Sequence, residues 1–72
     1  MLSRSQFTNQ IGKNIKRARE EKHISQEDLA DKAGLYRTYI GHLENSRYSP
    51  SAYVVYRISK VLQTPVSKII PL

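Results

Sequence analysis

Residues 25–50 read SQEDLADKAGLYRTYIGHLENSRYSP, and this stretch decides the fold. Ser25 is followed three residues later by the acid Asp28, the pattern of a capping box, so a helix begins here. Gly34 follows the apolar residues of that helix and suits the left-handed conformation beyond a helix end. A second apolar pattern of helical period starts again by Ile40. The stretch therefore predicts two short helices joined by a tight turn, which is a helix-turn-helix.

Apolar periodicity predicts further helices on both sides of this motif. Before it, Phe7, Ile11, Ile15 and Ala18 share one stripe; after it, the cap Ser51 precedes the stripe of Ala52, Val55, Ile58 and Leu62. Thr64 and Pro65 resemble an N-cap and a first-position proline, which predicts a last short helix. The predicted helices cover about residues 6–22, 25–33, 37–44, 51–62 and 66–70. We therefore expect a compact, all-α, five-helix fold.

Length and composition exclude several classes of protein. Seventy-two residues form one domain. Its small core gives marginal stability, so we expect that a second copy could stabilise it. The absence of cysteine excludes disulfides and thiolate metal sites. No apolar run reaches the roughly 20 residues of a membrane span, and the opening MLSRSQFTNQ lacks the apolar segment of a secretion signal. We expect a soluble, cytoplasmic protein.

The charge of the chain is positive and unevenly distributed. Its 12 Lys and Arg exceed its 6 Asp and Glu, for a net charge of +6. The first 34 residues carry a net +2 and the remaining residues a net +4. Clustered positive charge favours polyanionic partners, although basic residues also serve solubility alone.

Residues 25–50 resemble the helix-turn-helix domain of the Cro and C1 repressor type, also called the XRE-like family. The matching residues are Gln26, Ala30, Gly34, Ile40 and Glu44, and IGKNIKRAREEKH and AYVVYRISKVL match the flanking helices. The resemblance thus covers nearly the whole chain and implies a lambda-repressor-like domain with its motif at about residues 25–45. Within the family, RTYI at residues 37–40 is similar to the controller proteins of restriction-modification systems.

The resemblance implies that the third helix lies in the major groove of double-stranded DNA. Arg37, Thr38 and His42 then match the base-contacting positions, and an arginine can present two donors to guanine. The expected phosphate contacts are Gln26, Tyr39, Asn45, Ser46, Arg47 and Tyr48, of which the two tyrosines are inferred from their placement. Surface roles without DNA are the alternative for each. Arg19 and Glu44 match the positions of an arginine and a glutamate that form a structural ion pair in members of the family.

Two departures from the family pattern lead to further expectations. Tyr36 replaces the usual Ser or Thr cap, so the first turn of the third helix lacks its hydroxyl. Asn45 and Ser46 replace a glycine, and we expect Asn45 to take the left-handed conformation. Gly41 is expected to allow close approach of the DNA backbone or of the second helix.

The fourth helix carries more apolar residues than one stripe requires, so a second surface is needed to cover it. We expect residues 51–70 to support a homodimer, with ordinary packing under the C-terminal tail as the alternative. The predicted interface residues are Tyr53, Val54, Tyr56, Ile69, Ile70 and Leu72.

These features predict a sequence-specific transcription regulator that binds a palindromic operator as a homodimer. It would act through its concentration and by excluding or contacting RNA polymerase at a promoter. The alternative is a protein-interaction module resembling an antitoxin. No nucleophile, base and acid combine convincingly, so we do not expect an enzyme. His23 and His42 are the only histidines, and we expect no metal, cofactor or small-molecule ligand.

Overall fold

The computed structural model describes residues 1–72, and all of its regular secondary structure is helical. It contains α1 (Arg4–Glu21), α2 (Gln26–Ala33), α3 (Arg37–Glu44), α4 (Ala52–Leu62) and one 3-10 turn (Val66–Lys68). The all-α prediction is confirmed. None of these helices combines the length and the apolar character that crossing a bilayer requires.

The expected five-helix count is not confirmed, because the last predicted helix is only the 3-10 turn of three residues. Thr64 does not cap it: the Thr64 hydroxyl donates to the carbonyl of Leu62 at 3.1 Å. Pro65 occupies the N-cap position instead, and it offers no side-chain acceptor to the turn. Ile69 N and Ile70 N both donate to the carbonyl of Val66, at 2.9 and 2.8 Å, and Pro71 disfavours a helical conformation at Ile70.

One apolar core joins all four helices and the turn. α3 packs against both α1 and α2, and α4 packs against α2, α1 and the 3-10 turn. The largest fully buried side chains are Ile15, Leu29, Ile40, Leu43, Val55, Ile58, Leu62 and Ile69. Each contributes roughly 1.5–3 kcal/mol on burial, so the underside of α3 is held by its own Ile40 and Leu43.

Serine side chains cap the starts of α1, α2 and α4. α1 begins with a reciprocal capping box, in which Gln6 N donates to Ser3 Oγ at 3.1 Å and Ser3 N donates to Gln6 Oε1 at 2.9 Å. The predicted start at residue 6 was therefore too late. Ser25 accepts from Asp28 N at 3.0 Å, and α2 ends at Gly34, whose φ of 70° is left-handed as expected.

α4 faces the core with a slightly different stripe from the predicted one. Ala52 is exposed, so its assignment to the apolar stripe was wrong, and Ser59 is buried beside Ile58 and Leu62. Ser59 can occupy this position because its hydroxyl donates to the carbonyl of Tyr56 at 2.8 Å. A buried hydroxyl that has a hydrogen-bond partner costs little free energy, so a serine can occupy a core-facing position of this helix.

Arg57 joins α4 to the end of α2. Its Nε donates to the carbonyl of Ala33 at 2.6 Å, one of the carbonyls that the helix end leaves without a helical partner. Sequence reasoning missed this role, because a single arginine in a basic chain gives no signal of its distant acceptor.

Gly12 lets α1 approach the end of α3 closely. A Cβ atom there would lie 2.5 Å from the carbonyl oxygen of Leu43 and 3.0 Å from that of Glu44. Gly41 differs, because a Cβ would meet only Gln26 Oε1 at an ordinary 3.7 Å. A close approach of α2 at Gly41 is therefore not observed, and that of the DNA backbone stays a prediction. The close contact between α1 and α3 requires a glycine at position 12. In the sequence, the only sign of this was a glycine within a clearly predicted helix, where glycine is unfavourable.

These two glycines form a matched pair for mutation. Gly12→Ala should lower the free energy of unfolding by about 1–3 kcal/mol, because backbone atoms must move away from the added methyl group. Gly41→Ala should leave stability unchanged or raise it by up to about 1 kcal/mol through helix propensity. Urea unfolding followed by circular dichroism measures both, and equal effects of the two substitutions would contradict the close contact at Gly12.

Candidate nucleic-acid interface

The first turn of α3 is the most open part of the motif. Arg37 and Thr38 are both exposed, and Tyr36 before them is 83% exposed. Tyr36 forms no side-chain cap on α3, as expected for a residue without a Ser or Thr hydroxyl at this position. The single salt bridge of the structure lies elsewhere, so the Arg37 guanidinium is free to bind an external acceptor. The outer side of this turn is not covered by any other part of the chain.

The second turn of α3 is partly covered by an aromatic cluster. The Tyr48 ring stacks against Tyr39, with centroids 6.2 Å apart, and meets the edge of His42 at 5.4 Å. Tyr39 and His42 are half-buried, whereas Tyr48 remains exposed. His42 lies partly under Tyr48, and its predicted contact with DNA stays a prediction. The structure brings these three side chains together on one side of the motif.

A Schellman motif closes α3 and sets the shape of the following loop. Ser46 N donates to the carbonyl of Leu43 at 3.1 Å, and Arg47 N donates to that of His42 at 2.9 Å. Ser46 takes the left-handed conformation with a φ of 63°, while Asn45 has a φ of −91°. The expectation for Asn45 was thus wrong, because the motif requires the left-handed residue one position later. The exposed Arg47 follows directly on this fixed turn.

Glu44 joins three helices through its buried carboxylate, whose side chain is 3% exposed. Arg19 on α1 donates from Nε to Oε2 at 2.7 Å and from Nη2 to Oε1 at 3.0 Å. Gln26 at the start of α2 donates from Nε2 to Oε1 at 3.0 Å. Arg19 also donates from Nη1 to the carbonyl of Ile24 at 2.9 Å. The ion pair implied by the family resemblance is present, and all buried side-chain polar atoms have partners.

This network fixes the charge of Arg19. The hydrogen bond with the Glu44 carboxylate raises the pKa of the Arg19 guanidinium above its ordinary value, although burial opposes the shift. A raised pKa stabilises the fold at every pH below the unfolded value, and the contribution disappears only as pH rises through the folded value. Arg19 is therefore charged at all pH values near neutrality.

Gln26 has a more constrained position than expected of a phosphate ligand. It is half-buried, and one of its amide hydrogens is used by Glu44. The remaining amide hydrogen and the first backbone amides of α2 are the donors left for an anion. Gln26 is thus tied to the same carboxylate that fixes the end of α3.

The predicted dimer residues divide into two groups. Tyr53 and Tyr56 are 62% and 51% exposed, their rings stack with centroids 6.2 Å apart, and Leu72 is also exposed. Val54 and Ile70 are half-buried against the core. Ile69 is fully buried, so its assignment to an interface was wrong.

Ile69 is buried because two contacts bring it under α4. The 3-10 turn carries it inward, and Asn14 on α1 donates from Nδ2 to its carbonyl at 2.9 Å. Sequence periodicity gave no signal of this contact, since Asn14 and Ile69 are far apart in the chain.

A profile of the family described as Helix-turn-helix matches residues 15–69. The chain belongs to this XRE-type helix-turn-helix family. It is 43% identical over 49 residues to the ImmF control region 10 kDa protein of Bacillus phage phi105, an alignment that covers 68% of this chain and 54% of the phage protein. The chain thus spans about half the length of that relative.

Solved structures share the fold of this family member. The restriction-modification controller protein C.AhdI from Aeromonas hydrophila superposes with a TM-score of 0.84 at 25% identity, covering 88% of this chain and 96% of the controller. The P22 c2 repressor protein, solved with a synthetic operator, superposes with a TM-score of 0.79 at 24% identity, covering 85% and 92%. The repressor-like helix-turn-helix fold expected from the sequence is confirmed.

Removal of one partner of the buried Arg19–Glu44 ion pair tests how much the pair contributes to stability. Arg19→Met keeps most of the side-chain volume but leaves the Glu44 carboxylate buried with Gln26 alone. The free energy of unfolding should fall by about 3 kcal/mol or more. Arg17→Met, two residues earlier on an exposed position, is the matched control and should change it by at most about 0.5 kcal/mol. Similar values from thermal or urea unfolding of both variants would contradict the role given to Arg19.

Proposed function

We propose that this protein is a sequence-specific transcription regulator that binds double-stranded DNA with α3 in the major groove. The observation that supports this most is the open first turn of α3, where the unpaired Arg37 projects from a helix fixed at its other end. A guanidinium held in this way can donate to the O6 and N7 atoms of guanine. Thr38 lies beside it, and His42 is available at the edge of the aromatic cluster.

Phosphate contacts would set the register of the domain on the duplex. Arg47 and Tyr48 lie on the fixed turn after α3, together with Asn45 and Ser46. Gln26, at the amide end of α2, is tied to the end of α3 through Glu44, and the Tyr39 ring stacks on Tyr48. The net charge of +6 supports a polyanionic partner.

The relatives support regulation as the purpose of binding. A phage control-region protein and a restriction-modification controller are similar to this chain in sequence and fold. We infer that the chain acts on transcription, by excluding RNA polymerase from a promoter or by contacting it there.

We propose that the protein binds as a homodimer on a palindromic operator. Tyr53 and Tyr56 support this, since stacked exposed rings on α4 provide apolar area for a second copy. Val54, Ile70 and Leu72 stay predicted members of the interface. A twofold dimer would place two α3 helices about 34 Å apart, one turn of DNA. Two short recognition helices would supply the specificity that one lacks.

Arg37 and Arg47 should have separable effects on DNA binding. Arg37→Ala should lose about 1–3 kcal/mol of discrimination on duplexes selected from a random pool and keep most affinity for random duplex. Arg47→Ala should weaken both kinds of duplex alike and flatten the salt dependence. Fluorescence anisotropy over a salt series measures both. Equal losses on selected and random duplex for both variants would contradict the division, and no binding to any duplex would favour a module that binds only proteins.

The tyrosine pair should control self-association. Tyr56→Ser removes a ring whose hydroxyl has no hydrogen-bond partner in the monomer, so it should weaken the dimer at least about tenfold, or 1.4 kcal/mol. Tyr36→Ser removes a more exposed ring, 83% against 51%, from the turn before α3 and serves as control. Sedimentation equilibrium without DNA measures both, and an unchanged dimer in Tyr56→Ser would place the interface elsewhere.

A further inference from the structure

A polar groove lies between the start of α1 and the loop after α3. Its volume is about 450 Å³ and no apolar side chain lines it. The lining residues are Arg4, Ser5, Thr8 and Asn9 from α1, and Ser46, Arg47 and Ser49 from the loop. The loop side continues directly from the proposed phosphate contacts, whereas the α1 side has no role in the proposed function.

The charge of this groove favours an anion. Arg4 and Arg47 contribute two guanidinium groups, and no carboxylate lines the groove. Neither arginine takes part in the single salt bridge of the structure. A second groove, between α1 and the 3-10 turn, contrasts with it, because Arg17 and Lys68 are accompanied there by the carboxylate of Glu21. Positive charge without an internal counter-charge therefore distinguishes the first groove.

Both sides of the groove are fixed before any ligand binds. The Ser3 capping box holds the first turn of α1, which carries Arg4. The Schellman motif holds Ser46 and Arg47. Gly12 brings the two sides together, because the Ser46 hydroxyl lies only 3.1 Å from the place a Cβ would occupy there. The backbone on both sides is therefore positioned before binding, and the conformational cost is that of ordering the exposed side chains.

The α1 side of the groove lies outside the family match, which begins at residue 15. The loop side lies within it. The groove therefore combines residues that precede the family match with a loop that lies inside it.

We propose that this groove binds one phosphate group of the DNA backbone, next to the phosphates held by the loop. The inference rests on the proposed function, because it takes duplex DNA as the ligand. Arg4 and Arg47 would face the phosphate from opposite sides, and the hydroxyl groups of Ser5, Thr8 and Ser49 are further donors on the same surface. The contact extends the footprint of each protomer beyond α3 and its loop, and it adds affinity for every sequence alike.

The salt dependence of binding to a random-sequence duplex of roughly 30 base pairs, about three turns, tests this proposal. Each phosphate contact contributes about 0.9 to the slope of log affinity against log salt concentration. Arg4→Gln should make the slope shallower by about 0.9 for each bound protomer and weaken selected and random duplexes by the same factor. Arg4→Lys retains the charge and should restore the slope.

Arg17→Gln is the matched control, since it removes the same charge from the same helix. At about 100° per residue, Arg17 lies roughly 140° around α1 from Arg4, beside Glu21. It should leave the slope unchanged, and the thermal unfolding midpoints of all three variants should match that of the wild type because both arginines are exposed. Equal changes of slope in Arg4→Gln and Arg17→Gln, or none in either, would overturn the proposal. A wild type that binds no duplex would refute the proposed function itself.

Discussion

Glu44 places a carboxylate in the last turn of α3, where burial and the negative end of the helix dipole both disfavour it. Arg19 from α1 and Gln26 from α2 offset this cost with three hydrogen bonds of 2.7–3.0 Å. The three helices can satisfy the carboxylate only in one relative arrangement. An eight-residue helix without a side-chain cap has little stability of its own, so this network and the apolar underside determine its direction.

The two ends of α3 therefore differ in a way that suits recognition. The carboxyl end is held by Glu44, by the Schellman motif and by the close contact with Gly12. The amino end has no side-chain cap, and its first turn presents Arg37 to solvent. A helix whose direction is fixed at one end and whose other end is open leaves the side chains of its first turn uncovered. In the proposed complex, Arg37 would reach base edges from this open turn.

The sequence was sufficient where structure depends on neighbouring residues. Caps, the glycine turn and apolar periodicity predicted α2 and α3 closely, since Ser25 and Gly34 act within a few residues of themselves. Contacts between distant segments were not predictable. The need for Gly12 arises from a carbonyl some thirty residues away, Ile69 is buried by contacts with α1 and α4, and Arg57 bonds to the end of α2. In the candidate site, residue types were predictable, whereas the covering of His42 by Tyr48 depended on the loop geometry.

The most direct test of the account is a titration of nitrogen-15-labelled protein with duplex DNA, followed by the chemical shifts of its backbone amides. The account predicts that the largest changes occur in the first turn of α3 and in the loop from Asn45 to Tyr48. Changes confined to the outer face of α4, with α3 and its loop unperturbed, would contradict it.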